Sequence, residues 1–212
     1  SGGLTERFII YLPVGPDPYE MLGNPQLQPE KNNQADLTLS YQHAGTTLEI
    51  DFFAAYLQDY ISSRIDTTLE PRMLKRPGVR RYTNIREALQ TGFEIAWHQE
   101  LFAGLQNRLS LAYTFGKDLV RNAPLPEIAP MDIRYQLYGS FLQGHLKPAV
   151  SFRHVLKQNR VSRTFGETQT PAFTVMNIKI AYRLKNYLRI TAGVENLFDE
   201  TYLLSRRPFG AR

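Results

Sequence analysis

Two features are missing from this chain of 212 residues, and each absence excludes a class of protein. Cysteine does not occur, so a disulfide framework, a thiolate metal site and a cysteine nucleophile are excluded. No apolar run approaches the roughly 20 residues that a membrane-spanning helix needs. Mean hydropathy is −0.35, although 42% of the residues are hydrophobic, which also excludes a helical membrane protein.

Recognisable processing and enzyme motifs are scarce as well. The start at Ser1 lacks the charged region and apolar region of a secretory signal, which leaves two explanations: a cytoplasmic protein or a piece of a longer precursor. The Ser-Gly-Gly start also fits a cloning remnant. The sequence contains no glycine-rich phosphate loop, no H-E-x-x-H motif and no serine elbow, so we predict that the protein is not an enzyme.

Charge does not favour nucleic acid as a partner. Twenty-five basic and 20 acidic residues give a net charge of +5, with a pI near 9.4. The charges are spread along the chain, and the densest basic clusters fall in expected loops: Arg72, Lys75, Arg76, Arg80 and Arg81, then Arg206, Arg207 and Arg212. A nucleic-acid surface would gather them on one face, so we expect no nucleic-acid binding.

Period-two alternation of apolar and polar residues recurs about eight times, without a helical period. The segments are 36–42, 48–56, 93–98, 108–115, 133–141, 150–153, 177–183 and 188–195. The connections alternate between short ones, near residues 43–45, 101–104, 143–145 and 185–186, and long ones over 61–82, 116–131, 157–171 and from 201 onward. This pattern predicts an all-β, antiparallel up-and-down meander with its long loops at one end, the layout of outer-membrane barrels.

Alternation alone does not say whether the apolar face meets lipid or a protein core. The 12 Tyr, 12 Phe and one Trp suit the aromatic girdles of a transmembrane barrel. Trp97 lies beside a short turn, while Tyr56, Tyr113 and Phe115 lead into long loops, which favours lipid. The alternative is a soluble all-β binding or adhesion module in which the apolar faces form the core.

Four motifs, in order, carry a resemblance to one family. Residues 193–202 read G-V-E-N-L-F-D-E-T-Y, and residues 24–30 read N-P-Q-L-Q-P-E. Asn84, Ala88, Gly92 and Glu94 fit the pattern N-x-x-x-A-x-x-x-G-x-E, and residues 124–130 read P-L-P-E-I-A-P. Together these resemble the motifs of TonB-dependent outer-membrane receptors. The residues that match are Asn24, Pro25, Pro29, Glu30, Gly92, Glu94, Asn196, Leu197, Phe198 and Asp199.

The resemblance implies part of a barrel of roughly 22 strands with a plugged lumen. Residues 1–33 would be an external loop region, 34–199 the strands, and 200–212 the start of the last external loop, so that the plug and the final strand lie outside this chain. It further implies location in the outer membrane of a Gram-negative bacterium. The expected partners are the rest of the barrel and its plug, the TonB complex through that plug, membrane lipid, and a small nutrient such as a metal chelate, haem or cobalamin.

Candidate binding residues are few. The four histidines do not pair at ligand spacing and the four methionines are scattered, so we predict no metal site, no copper capture and no cofactor. Glu49 and Asp51 share a strand face and are expected to form ion pairs with the plug. The basic, aromatic segment 72–82 is the ligand candidate: Arg76, Arg80, Arg81 and Tyr82 would attract an anionic chelate. The alternatives are that these arginines bind lipopolysaccharide phosphates or are simply solvated.

Overall fold

Strands make up almost all of the regular structure in the computed structural model, which describes residues 3–14, 17–185 and 187–202. The strands are β1 (Ile10–Pro13), β2 (Glu20–Leu22), β3 (Lys31–His43), β4 (Thr46–Asp66), β5 (Val79–Phe102), β6 (Leu105–Asp118), β7 (Ala123–Pro124), β8 (Asp132–Gly139), β9 (Leu146–Val155), β10 (Phe173–Leu184) and β11 (Leu188–Val194). A short helix α1 (Leu4–Phe8) and a 3₁₀ turn (Arg163–Phe165) complete the set. Within these described ranges, no helix has the length and apolarity to cross a bilayer. The predicted all-β class is confirmed.

The eight longest strands pair in the order β3, β4, β5, β6, β8, β9, β10, β11, and every pairing between them is antiparallel. The predicted up-and-down meander is therefore confirmed. One parallel pairing adds to it: β2 runs alongside the first three residues of β5, Val79 to Arg81. Strand β6 pairs with β5 only from Ala88 onward, so β2 occupies the edge that β6 leaves open.

The short connections lie at one end of the sheet, and the long connections lie at the other. The short turns include Ala44 and Gly45, whose φ angles of 43° and 76° suit a tight hairpin of the mirror-image type. The long connections cover 67–78, 119–131 and 156–172, and we call their side the long-loop end. The alternation of short and long connections is confirmed, but the predicted bounds of the first long loop are wrong. Residues 61–66 and 79–82 continue β4 and β5, because cross-strand pairing extends as far as Asp66 opposite Val79.

The ends of the chain differ in part from the expectation. Residues 3–33 contain α1, β1, β2 and the first residues of β3, which begins at Lys31 rather than at residue 34. The prediction that residues 200–212 start an external loop falls mostly outside the described residues, which end at Tyr202.

Register aligns the apolar side chains into one continuous face. Leu48, Trp97 and Leu109 lie side by side across β4, β5 and β6, and the rows above them align in the same way. Phe52, Phe93 and Tyr113 form an aromatic row with ring centroids 6.4 and 5.8 Å apart. Nothing described covers this face: Leu37 is 57% exposed and Ile190 56% exposed. The apolar face is therefore not the core that a soluble module would require.

The opposite face is charged along most of its length and carries a small core at the long-loop end. On this face Asp132 forms salt bridges with Arg134 and Arg153, with N–O distances of 2.9 and 2.7 Å. Further toward the long loops, Leu57, Ile85, Ala88 and Leu125 form a buried cluster, against which Tyr60 and Ile128 pack. Leu125 and Ile128 belong to the connection between β6 and β8, so this connection folds onto the charged face. Gly116 leaves room for it, since a Cβ there would lie 2.7 Å from Ile128 Cδ1.

Candidate functional site at the long-loop end

The segment 24–30 is fixed to β4 and β5 by polar side chains. Asn24 Nδ2 donates to the carbonyl of Tyr82 at 3.3 Å. Asn84 accepts from the amide of Gln28 at 2.9 Å and donates to the Gln28 carbonyl at 3.1 Å. Glu30 accepts from the amide of Ile61 at 3.1 Å. The two prolines, Pro25 and Pro29, stand where no ladder hydrogen bond is made, so this motif guides the chain into β3.

Gly92 serves the close packing of the charged face. It lies opposite Phe53, and a Cβ at Gly92 would stand 2.5 Å from Phe53 Cε1 and would also meet the carbonyl oxygen of Tyr113. Only glycine therefore allows the Phe53 ring to lie across the strand. Glu94 is exposed on the same face, opposite Asp51.

Residues 196–202, which contain the last of the four motifs, form a turn that packs back against the sheet. The Asn196 side chain accepts from the amide of Glu200 at 3.1 Å and donates to its carbonyl at 3.0 Å. Asn196 and Asp199 both have φ of 50°, a region that Asn and Asp tolerate better than other side chains. The backbone of Leu197 donates to Met176, and the ring of Tyr202 stacks on Phe173 at 4.5 Å. Phe198 remains exposed.

Two of the four predicted ligand residues, Arg76 and Arg80, form hydrogen bonds with other residues of the protein. Arg80 is 1% exposed; it donates to Asp17 at 2.6 Å and to the carbonyl of Phe165 at 2.5 Å, with its guanidinium over the Phe165 ring. Arg76 donates to the carbonyls of Asp17 and Pro18, at 3.4 and 3.2 Å. Both arginines therefore join connections of the protein to one another.

The other two predicted residues, Arg81 and Tyr82, follow Arg80 on β5 but are less buried than Arg80. Tyr82 is half-buried, whereas Arg81 is exposed and pairs across the strands with Arg64. Two like charges directly opposite in a sheet repel each other. Both guanidinium groups contribute to lowering the pKa of Asp66, although the main cause is the hydrogen bond from the Thr68 hydroxyl.

A cleft of about 90 Å³ beside this arginine pair was not predicted from the sequence. Arg64 and Arg121 line it, and Arg121 also donates to Asp118 at 3.2 Å. The remaining polar lining consists of the Asp118 carboxylate and five hydroxyl groups, those of Ser62, Ser63, Thr83, Ser162 and Thr164. We call this site the arginine cleft. Its residues come from β4, β5, the end of β6 and two separate connections, and no local pattern in the sequence links them.

Two carboxylates, the buried one of Glu20 and the half-buried one of Glu167, order connections at the long-loop end. Glu20 accepts from the amides of Arg72 and Met73, at 2.9 and 2.5 Å. Glu167 accepts from the amides of Glu127 and Ser162, at 2.6 and 2.7 Å, and so joins two long connections. Burial raises the pKa of the Glu167 carboxyl, despite these two donors.

Histidine side chains are engaged in separate places. His98 lies 3.1 Å from the Tyr138 hydroxyl, His145 lies 2.7 Å from the Arg183 carbonyl, and His154 lies 2.8 Å from the Thr174 hydroxyl. No group of three or more His, Cys, Asp or Glu suited to a metal ion occurs in the described part of the chain. Met21 is buried and Met73 is exposed.

The sheet, its exposed apolar face, its charged opposite face and its one-sided long loops together define a wall segment of a large antiparallel β-barrel. Residues 2–197 match the family described as TonB dependent receptor-like, beta-barrel, and the chain belongs to this family. The predicted resemblance is thereby confirmed. No curated protein matches the chain.

Solved structures of similar fold are barrels of receptors and transporters. The copper transporter OprC superposes with a TM-score of 0.75 at 26% identity, over 88% of this chain and 28% of that one. A ferric enterobactin receptor (PfeA) of Pseudomonas aeruginosa gives a TM-score of 0.66 at 20% identity, over 91% of this chain and 29% of that one. The siderophore receptor PirA of the same organism gives 0.63 at 15% identity, over 86% and 29%. The chain therefore spans less than a third of the length of these structures.

Proposed function

We propose that this chain forms part of the wall and outer entrance of an outer-membrane receptor that imports a scarce nutrient. The cargo classes are metal chelates, haem and cobalamin, and the partners are a plug domain inside the barrel and a TonB complex that supplies energy. The supporting observation is the apolar face, which stays uncovered across eight paired strands while the opposite face carries charge. A wall between lipid and a polar interior needs this division.

Strand length supports the assignment of the long-loop end to the cell exterior. β4 and β5 have 21 and 24 residues, which is roughly twice the 9–11 residues that a strand needs to cross a bilayer. Their extra length lies at the long-loop end, where they carry the arginine cleft. In outer-membrane barrels the long loops are extracellular, so the cleft would face incoming cargo.

Ligand attraction at this entrance rests on Arg64 and Arg81. Both are exposed and directly opposed, and the one carboxylate that both of them influence, that of Asp66, balances only one of the two charges. Arg121 also lines the cleft, but its charge is balanced there by Asp118. Of the predicted residues, Arg76, Arg80 and Tyr82 then hold the surrounding connections in place, and Arg81 is the one that meets the anionic ligand.

The test is uptake in a Gram-negative host that lacks its own receptors. The gene encoding the chain would be expressed with and without TonB, and cells would be given labelled ferric siderophores, haem, cobalamin and copper. We expect TonB-dependent accumulation of one cargo, and we expect the protein to float with outer-membrane vesicles in a density gradient. A protein that stays at the bottom of the gradient, or uptake that does not require TonB, would contradict the proposal.

A further inference from the structure

A second cleft, of about 220 Å³, opens beside β6 at the long-loop end. It exists because β8 begins at Asp132, opposite Ala112, so that the β6 residues beyond Ala112 lack β8 as a neighbour. The start of the connection between β9 and β10 approaches β6 across this gap. Gly116, Leu125 and Ile128 close the cleft on the side of the small core. Tyr113, Met131 and Leu156 line it together with two exposed cations, Lys157 and Arg160.

The contact between Arg160 and Phe115 connects this cleft to the apolar face, although Phe115 itself does not line the cleft. Phe115 alternates with Thr114 and Gly116 and shares the outward row of Leu111 and Tyr113. The guanidinium carbon of Arg160 lies 3.8 Å from the centroid of the Phe115 ring. A cation therefore lies over an aromatic ring at the outer margin of the apolar face, where the polar headgroups of a bilayer lie.

Arg160 is held in place through Gln158. The Gln158 side chain is 7% exposed; its Oε1 accepts from the Arg160 amide at 3.2 Å and its Nε2 donates to the Ile128 carbonyl at 2.5 Å. The ion pairs found among the described residues involve Arg80, Arg121, Arg134 and Arg153, and none includes Lys157 or Arg160. The cleft therefore presents two positive charges without a carboxylate to balance them.

We propose that this cleft binds one phosphorylated membrane lipid. An acyl chain lies along Met131 and Leu156, and the lipid phosphate lies between Lys157 and Arg160. A guanidinium presents N–H groups in a planar fork that matches two phosphate oxygens. The lysine adds a point charge on a flexible stem. This inference rests on the proposed function, since the apolar face must meet lipid.

The experiment is native mass spectrometry of the detergent-purified protein with added lipid. The probes are phosphatidic acid, phosphatidylcholine with the same acyl chains, and inorganic phosphate. We expect retention of phosphatidic acid in preference to phosphatidylcholine. Loss of both cations in Lys157→Gln/Arg160→Gln should weaken that retention by about tenfold, the factor for losing a charge-assisted hydrogen bond.

Arg163→Gln is the matched control, because Arg163 is exposed on the same connection and does not line the cleft. Retention by this variant should stay within about twofold of the wild type, the effect of a surface charge. Arg160→Lys keeps the charge but loses the planar fork of N–H donors, so its retention should lie between those of the wild type and the double variant.

Three results would overturn the inference: equal retention of the two lipids, an equal loss in the Arg163→Gln control, or displacement of phosphatidic acid by inorganic phosphate at comparable concentration. The last result would identify a free-anion site. Failure here is distinct from failure of the proposed function. A protein that floats with outer-membrane vesicles but shows no lipid preference overturns only this cleft, whereas one that does not float overturns the membrane assignment.

Discussion

The ring of Phe53 occupies the space that a side chain at Gly92 would need. The two residues are directly paired across β4 and β5, and a Cβ at Gly92 would stand 2.5 Å from the ring. Gly92 thus has a packing function on the charged face, in the interior of a long strand where glycine would otherwise be unfavourable.

Gly92→Ala should therefore destabilise the barrel by about 1–3 kcal/mol, the usual cost of overpacking. The readout is the temperature at which heat-modifiable gel mobility is lost in detergent. Gln90→Ala, on the same face of β5, should change stability by less than about 0.5 kcal/mol. Adding Phe53→Leu to Gly92→Ala should recover only part of the loss, because the Tyr113 carbonyl also blocks the new methyl group. A fully stable Gly92→Ala variant would refute this packing role.

The Asn196 turn offers a graded test. Asn196→Ala loses both hydrogen bonds to Glu200 and places a strained φ on alanine, so we expect a loss of about 1–2 kcal/mol. Asn196→Asp keeps the acceptor for the Glu200 amide and should lose less. The measurement is the rate of limited proteolysis after β11. If the Asp variant is cleaved faster than the Ala variant, the hydrogen-bond explanation is wrong.

Arg80 should behave as a structural residue rather than a ligand residue. Arg80→Met leaves Asp17 without its partner in a mostly buried place, and breaking such a pair costs about 3–5 kcal/mol. Arg80→Met/Asp17→Asn should restore part of the stability. The exposed neighbour Arg81→Met serves as the control and should stay within about 0.5 kcal/mol. Thermal stability in detergent decides between the roles, and an unchanged midpoint for Arg80→Met would exclude the structural one.

The raised pKa of Glu167 leads us to expect that local stability around this residue depends on pH. Burial raises its pKa, so folding favours the protonated carboxyl. This contribution is fully present below the ordinary pKa of glutamate, about 4.3, and is lost as the pH rises through the raised pKa. Hydrogen exchange of the Glu127 and Ser162 amides, corrected for intrinsic chemistry, should show falling protection over that range.

Glu167→Gln should flatten this dependence, because the amide does not titrate. Glu70→Gln, at an exposed position in the connection between β4 and β5, should leave it unchanged. Protection that increases as the pH rises in the wild type would contradict the assigned sign.

Arg64 and Arg81 should govern the rate at which an anionic cargo arrives. Arg64→Gln/Arg81→Gln should slow association of the most anionic cargo imported in the uptake test by about tenfold at low salt. The difference should shrink as salt is added, because the Debye length falls below about 10 Å. Arg86→Gln, an exposed arginine farther along β5, is the control. If Arg86→Gln slows association as much as the double variant does, the effect is one of nonspecific charge.

Much of the fold is readable from the sequence because strand alternation is encoded by neighbouring residues. The segments around Leu48, Phe93 and Leu109 each show it unaided, and the order of short and long connections follows from their spacing. The ends of β4 and β5 were not predictable, since residues 61–66 and 79–82 lack a clean alternation. Their strand state depends on pairing with each other and with β2.

The candidate site also has features that were predictable from the sequence and features that were not. The sequence alone determined the family motifs, the apolar face and the basic character of segment 72–82, since all of these are local patterns. Only the tertiary structure decided that Arg80 is buried against Asp17 and Phe165, which are 63 and 85 residues away along the chain. It likewise decided that Arg64 lies opposite Arg81 and that Arg160 stacks on Phe115. Contacts of this kind depend on register and on how long connections fold back, and both are fixed by packing between distant segments.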